Sequence, residues 1–174
     1  VSGEPFLVAP LDPAHDRKTF CSGSEPLDRY LREQATQDMR RRIAACFVAL
    51  ADNRRIAGRI AGYYTLASAS ILLADLPTGI GKKLPRYPSV PAIRMGRLAV
   101  DQAFRKQGLG GALLADALHR SVRAEIAAYA LMVDAKDESA EAFYLHHGFI
   151  PLPESPQVLF LPLATVEKLT AKNA

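Results

Sequence analysis

Residues 95–114 read Met95-Gly96-Arg97-Leu98-Ala99-Val100-Asp101-Gln102-Ala103-Phe104-Arg105-Lys106-Gln107-Gly108-Leu109-Gly110-Gly111-Ala112-Leu113-Leu114. An apolar run ends at Val100, a short polar turn follows, and Arg105-x-x-Gly108-x-Gly110-Gly111 opens an apolar-periodic helix. Strand, glycine turn and helix together form a device for holding a phosphate. Glycines let the backbone approach a ligand closely and take positive φ, so that consecutive N–H groups point at one anion. The helix N-terminus adds partial positive charge, and Arg105 and Lys106 stand beside it with full charges. Residues 105–111 are therefore expected to seat a pyrophosphate.

Three glycine-loop patterns compete for this stretch. A dinucleotide fingerprint needs G-x-G-x-x-G with an acidic residue about 20 positions further on, but here Ala112-Leu113-Leu114 continues the helix where the third glycine should stand. A Walker loop needs G-x-x-x-x-G-K-[ST], and Gly111 is followed by Ala112 and Leu113. The third pattern, R/Q-x-x-G-x-G/A after a strand ending Leu98-Ala99-Val100, resembles the coenzyme A signature of the GNAT N-acetyltransferase superfamily. A turn that merely starts a helix would share part of this spacing, so a second motif has to decide.

The surrounding chain is that of a folded protein. Its 174 residues are 49% hydrophobic and 23% charged, which fits one domain with a full core, and residues 1–174 are expected to form a single domain. No apolar run is long enough to cross a bilayer. Residues 1–5 show neither the basic nor the apolar region of a secretory signal, so a cytoplasmic location is expected. Cys21 and Cys46 lie apart without a metal-ligand pattern, and free thiols are expected. Net charge is +4, which matters only if the cations cluster.

Phe6-Leu7-Val8 reads as a first strand, and Ser22-x-x-Glu25 as a capping box before a helix. Leu27, Tyr30, Leu31, Gln34, Ala35 and Met39 recur at three- and four-residue intervals, which makes that helix amphipathic. Residues 46–50 and 56–70 form a hairpin across a turn at 52–55, with Gly58 and Gly62 as expected bulges. Residues 74–91 carry four prolines and read as a long loop. A strand over 92–100, a helix over 108–123, a strand over 127–134 and a helix over 139–146 follow. Gly148 stops the last helix, and residues 149–161 supply the final strands. This alternation predicts an α/β (α+β) fold on a mixed sheet.

Val133-x-x-x-Asp137-x-x-Ala140-x-x-x-Tyr144-x-x-x-Gly148-Phe149 has the spacing of a second GNAT motif, with Asp137 where the superfamily usually has asparagine. Two motifs in the right order carry more weight than either alone. Leu27-Asp28-x-Tyr30-Leu31, Gly62-Tyr63-Tyr64-Thr65-Leu66, Leu84-Pro85-Arg86-Tyr87-Pro88-x-Val90-Pro91, Gly96-Arg97-Leu98-Ala99-Val100 and Val133-Asp134-Ala135-Lys136 resemble the GNAT toxins of bacterial type II toxin–antitoxin modules. That resemblance runs from about residue 20 to residue 163. It implies a GNAT fold, a mixed central sheet whose parallel strands splay around acetyl-CoA and are flanked by helices. It also implies acetyl transfer from acetyl-CoA to the α-amino group of aminoacyl-tRNA, which stops translation. A ribbon–helix–helix antitoxin would neutralise the enzyme, and operator DNA would be bound only through that complex. A homodimer is implied as well.

The resemblance also assigns residues. Backbone groups of Leu98, Ala99 and Val100 would pair with the pantetheine arm, and Arg105, Lys106, Gln107, Gly108, Leu109, Gly110 and Gly111 would hold the pyrophosphate. Phe143 would line the cleft, and Tyr144 would protonate the departing thiolate. A phenol of pKa about 10 is protonated at neutral pH and suits that task. An α-amine of pKa about 7.7–8.0, lowered further by its adjacent ester, needs little help from a base, unlike a lysine at about 10.4.

Residues 28–59 hold eight arginines against four acids. Arg41 and Arg42, with Lys82, Lys83 and Arg86, are the expected RNA contacts if they share a face. A solvated basic face or a dock for an acidic antitoxin tail would use the same charges. His146 and His147 point apart on a helix, and no metal is expected. Two rivals remain: a GNAT enzyme acting on a small amine or a protein N-terminus, and a binding module that uses the fold for interaction alone.

Overall fold

The computed structural model describes residues 6–51 and 58–173. Its strands are β1 (Leu7–Pro10), β2 (Ala45–Leu50), β3 (Ile60–Leu72), β4 (Ser89–Val100), β5 (Ala130–Asp134), β6 (Ile150–Leu152) and β7 (Ser155–Pro162). They form one seven-stranded sheet in the order β1-β2-β3-β4-β5-β7-β6. β4 and β5 run parallel, with Ala92 opposite Ala130 and Met95 opposite Val133. β1–β2, β2–β3, β5–β7 and β6–β7 are antiparallel. A parallel pair needs a crossover, and the chain between β4 and β5 contains the helix Leu109–Val122. The fold is mixed α/β, as the alternation predicts. Among the described residues no helix is long and apolar enough to cross a membrane.

The chain packs as two compact units, one of residues up to Ala67 with Gly96–Ala117, the other of Ser68–Met95 with Leu118 onward. In the first unit, α1 (Glu25–Arg29), a π-helical turn (Tyr30–Gln34) and α2 (Ala35–Arg40) follow without a break. The Ala35 N–H reaches back to the Tyr30 carbonyl. Leu31, Ala35, Phe20, Val48, Leu50, Ile60 and Tyr63 form the core there, joined by Tyr30 and Ala99. The expected capping box does not form. Ser24 is the N-cap, without a side-chain bond, and Glu25 is the first helical residue. Ser22 instead gives its hydroxyl and backbone N–H to Asp28. Pro26 belongs in a first helical turn, which moves the helix start two residues past Ser22.

In the β2–β3 hairpin, Ala49 faces Gly62 and Leu50 faces Ile60, so Ala61 is the extra residue of a bulge. Gly62, expected as a bulge, is the paired residue next to it, and Gly58 precedes the strand. The turn expected at 52–55 and the strand start at Ile56 lie outside the described residues.

The second unit has its own core of Ile71, Leu76, Val90, Ala92, Ala130, Met132, Leu152 and Phe160. The loop expected over 74–91 is shorter than its prolines suggest. It holds a 3-10 turn at Leu73–Asp75 and a helical turn, α3 (Thr78–Gly81), and β4 already begins at Ser89. Helix α4 (Leu109–Val122) runs through both units; α5 (Glu138–His146) and α6 (Leu163–Lys172) complete the second. α6 has no counterpart in the expectations above, although Leu163, Val166 and Leu169 carry helical spacing.

Candidate active site

The glycine turn has the backbone that anion binding requires. Lys106 and Gly108 both stand in the left-handed region, at φ 62° and 75°. Such positions turn successive N–H groups toward one point. The first intrahelical bond runs from the Ala112 N–H to the Gly108 carbonyl at 3.1 Å. The N–H groups of Leu109, Gly110 and Gly111 therefore have no partner inside the helix, and Gly108 brings no side chain to cap them. A Cβ built on Gly108 would meet nothing within 4 Å, so space is open beside that residue. Leu109, Leu113, Leu114 and Ala117 are buried and hold the helix start in place.

The residues between β4 and this turn are tied down. The Asp101 side chain, only 3% exposed, accepts the N–H groups of Cys21 at 2.9 Å and Ala103 at 2.8 Å. Arg59 pairs with the same carboxylate at 3.5 Å and lies over the Phe104 ring. The Asp101 and Gln102 N–H groups bond the carbonyls of Ala61 and Cys21. Arg105, expected on the pyrophosphate, donates to the Ser22 carbonyl, so here it straps the turn to residues 22–23. Lys106 and Gln107 are exposed. Leu98 and Val100 are half-buried, and Ala99 is buried. Cys21 and Cys46 are free thiols, and burial pushes the Cys46 thiol up to about 12.

In the second unit, Tyr144 owes its place to the way α5 ends. The Phe149 N–H bonds the Tyr144 carbonyl at 3.1 Å and the Gly148 N–H bonds the Leu145 carbonyl at 3.0 Å. Gly148 takes φ 88°. This is a Schellman termination, and its usual hydrophobic contact is the Tyr144–Phe149 ring pair at 5.4 Å. Tyr144 is 7% exposed. Burial first, and the Asp134 carboxylate second, push its phenol up to about 12. Arg94 pairs with Asp134 at 2.5 Å. Half-buried Phe143 lies edge-on to Tyr144 and packs on His147.

Asp137, the departure from the usual asparagine, is the N-cap of α5 and accepts the Ala140 N–H at 2.8 Å. Aspartate and asparagine cap equally well, so the helix start tolerates the exchange.

Among the expected RNA contacts, Arg41 and Arg42 are exposed just after α2, with Arg42 at φ 60°. Lys82 and Arg86 line a groove of about 680 Å³ with Leu73, Leu76, Leu84 and Tyr87, and Lys83 is exposed beside it. Arg54 and Arg55 lie outside the described residues. No group of three or more His, Cys, Asp or Glu among the described residues could hold a metal. One cluster is missed by the sequence reading: the Tyr30 hydroxyl donates to Asp38 at 2.8 Å, the Gln34 amide donates to it at 2.9 Å, and Arg97 stacks on the ring. Tyr30, Gln34 and Asp38 follow at four-residue intervals, but no spacing rule connects Arg97 to them.

The chain is similar in sequence and fold to known proteins. The profile of the acetyltransferase (GNAT) domain matches residues 21–159. A tRNA-acetylating toxin of Mycobacterium tuberculosis (strain ATCC 25618 / H37Rv) is 39% identical over 153 residues, 87% of this chain and 88% of that one. The structure of AtaT complexed with acetyl-methionyl-tRNAfMet superposes with a TM-score of 0.87 at 30% identity, covering 95% of this chain and 99% of that one. A tyrosine-to-phenylalanine mutant of the AtaT toxin, bound to the C-terminus of the antitoxin AtaR and acetyl-CoA, gives 0.81 at 26% identity over 96% and 99%. A match spanning both motifs and most of the chain places this protein in the GNAT acetyltransferase family, among its tRNA-acetylating toxins.

Proposed function

We propose that the chain transfers an acetyl group from acetyl-CoA to the α-amino group of aminoacyl-tRNA and so halts translation. What carries this reading is the similarity, along nearly the whole chain, to a protein named for acetylating tRNA. The chain works as a single GNAT domain over residues 1–174. The turn from Arg105 through Gly111 holds the pyrophosphate, with Lys106 and Gln107 on its open side, and the backbone of Leu98, Ala99 and Val100 holds the pantetheine arm. Acetyl-CoA supplies the acetyl group as an activated thioester.

The substrate amine needs no strong base, since an α-amine next to an ester is largely neutral at pH 7–8. The N–C bond forms as the C–S bond breaks, and one amine proton must leave while the sulfur gains one. Tyr144 is the donor at the sulfur, and Phe143 packs beside it. A phenol at about 12 is a weaker acid than a thiol at about 8.5. Tyr144 therefore holds the developing thiolate by a hydrogen bond, and its proton moves only as the acetylated nitrogen gives up its own.

Arg41, Arg42, Lys82, Lys83 and Arg86 attract the phosphates of the RNA. The enzyme acts in the cytoplasm as a homodimer. A ribbon–helix–helix antitoxin neutralises it, and operator DNA is bound only through that complex; the antitoxin-bound AtaT structure supports an antitoxin partner. The test combines purified protein, labelled acetyl-CoA and a total charged-tRNA pool, with uncharged tRNA and free amino acids as controls. Label is expected on charged tRNA alone. Label on free amines or proteins, and none on tRNA, replaces this substrate with a small amine or an N-terminus.

A further inference from the structure

Arg97 has no task in the acetyl-CoA reading, although it directly precedes Leu98–Val100 on β4. Side chains two apart on a strand share a face, so Arg97 lies on the face of Ala99. Ala99 belongs to the core of the first unit with Tyr30 and Tyr63. A charged residue thus continues a face that is otherwise apolar. Its guanidinium carbon lies 3.5 Å from the centroid of the Tyr30 ring. That ring is fixed from behind: its hydroxyl donates to Asp38, Gln34 donates to the same carboxylate, and Tyr63 stacks alongside at 6.4 Å and 14°. Among the described residues the guanidinium forms no hydrogen bond and no ion pair within 4 Å, although the Asp38 carboxylate behind the ring feels its charge. One face is covered by the ring, and the N–H edge is left to offer.

Arg97 and Tyr30 line a pocket of about 320 Å³ together with Leu27, Arg29, Glu33 and Gln34. Its position on β4 indicates its occupant. The glycine turn follows Val100, so a pantetheine arm lying along Val100, Ala99 and Leu98 leads away from the pyrophosphate toward Arg97. On that reading the thioester end of the path lies on the Arg97 side, where the acceptor must arrive.

Resting on the aminoacyl-tRNA reading above, we propose that Arg97, seated on Tyr30, binds a phosphodiester of the RNA's single-stranded 3′ end and sets how far the aminoacyl ester reaches. The rigid guanidinium fork matches two phosphate oxygens. Arg29 on the same pocket is held by Glu25 at 3.3 Å and shares the lining with Glu33, so Arg97 carries the contact, and Leu27 offers an apolar wall to a ribose or base. Arg97 is a positioning and specificity residue; the chemistry stays at Tyr144.

The test measures binding of an RNA acceptor minihelix ending in a single-stranded 3′ tail at several salt concentrations, for the wild type, Arg97→Met and Arg97→Lys. Each protein is also assayed for the KM of acetyl-CoA and for acetylation of aminoacyl-tRNA. Arg97→Met is expected to bind the minihelix about tenfold more weakly, with a log–log salt slope shallower by about 0.7 because one single-strand phosphate is no longer neutralised. The KM of acetyl-CoA stays within twofold. Arg97→Lys, which keeps the charge and loses the fork, keeps the salt slope and recovers part of the affinity; it also serves if the methionine variant fails to fold. Unchanged minihelix affinity in both variants overturns the proposal. A raised acetyl-CoA KM with unchanged RNA binding overturns it too, by assigning the phosphate to coenzyme A. A wild type that binds the minihelix without acetylating aminoacyl-tRNA removes the acetylation reading alone, and Arg97 is still scored by its binding loss. A wild type that binds no RNA removes both.

Discussion

Tyr144 is placed by backbone chemistry before any chemistry of its own. Its carbonyl closes the end of α5 and its ring packs on Phe149, so the hydroxyl is free of any structural duty at the helix end. Tyr144→Phe is therefore expected to fold, to melt within a degree or two of the wild type and to bind acetyl-CoA unchanged. It should lose transfer by roughly 10²–10⁴-fold, the usual weight of a positioned acid. Unchanged turnover would remove Tyr144 from the reaction. The raised phenol also fixes a pH signature. With a folded pKa near 12 against about 10 when free, Tyr144 takes nothing from stability below pH 10. Between about pH 10 and 12 the unfolded chain ionises first and the folded state loses stability. Below that window kcat/KM should rise once, through the pKa of the substrate amine, and hold a plateau. A falling limb between pH 7 and 9 would mean that another group supplies the proton.

At the scale of the elements, Gly62 is where β3 allows another chain segment to come close. A Cβ there would stand 2.8 Å from Leu113 Cδ1 and 2.9 Å from the Ala99 carbonyl oxygen. The leucine could turn aside, but the carbonyl is backbone on β4 and cannot. Gly62→Ala should thus destabilise by about 1–3 kcal/mol, as overpacking does, and lower Tm by about 2–4 °C per kcal/mol. Because Ala99 is a proposed pantetheine contact, the KM of acetyl-CoA should rise with it. A drop in Tm with an unaltered KM would separate Ala99 from the cofactor.

The same scale shows what a reader of the sequence can see. The glycine turn and the end of α5 are legible because each depends on glycines within a few residues of their partners. The start of α1 is misread because Ser22 fits a capping pattern locally, while its hydroxyl is claimed by Asp28. The π-helical turn and the Arg97–Tyr30–Asp38 cluster are not legible. Tyr30, Gln34 and Asp38 do share helical spacing, but the stacking of Arg97 on Tyr30 joins segments far apart in the chain, and no local spacing encodes it. Arg105 is legible as a cation of the turn, yet its bond to Ser22 depends on how residues 22–23 fold back.

For the molecule as a whole, the question is how a modest charge excess finds a polyanion. Lysine and arginine outnumber acids by only 22 to 18, so affinity for RNA has to come from placement. Asp28, Asp38 and Asp101 are buried and already accept hydrogen bonds, which keeps part of the negative charge away from the surface. Arg41, Arg42 and Lys83 are exposed, as are Lys82 and Arg86 on the groove after β3. If these five meet phosphates, exchanging all of them for glutamine should weaken tRNA binding steeply at low salt and much less at high salt. The log–log salt slope should become shallower by about 0.9 for each duplex phosphate left without its cation. Acetyl-CoA binding and Tm should hold, since none of the five bears on the glycine turn. Exchanging Arg41 and Arg42 alone, and the groove cations alone, then apportions the slope between the two sets. A slope that stays at the wild-type value in the fivefold variant would mean that these charges serve the antitoxin or the solvent, and that RNA is gripped elsewhere.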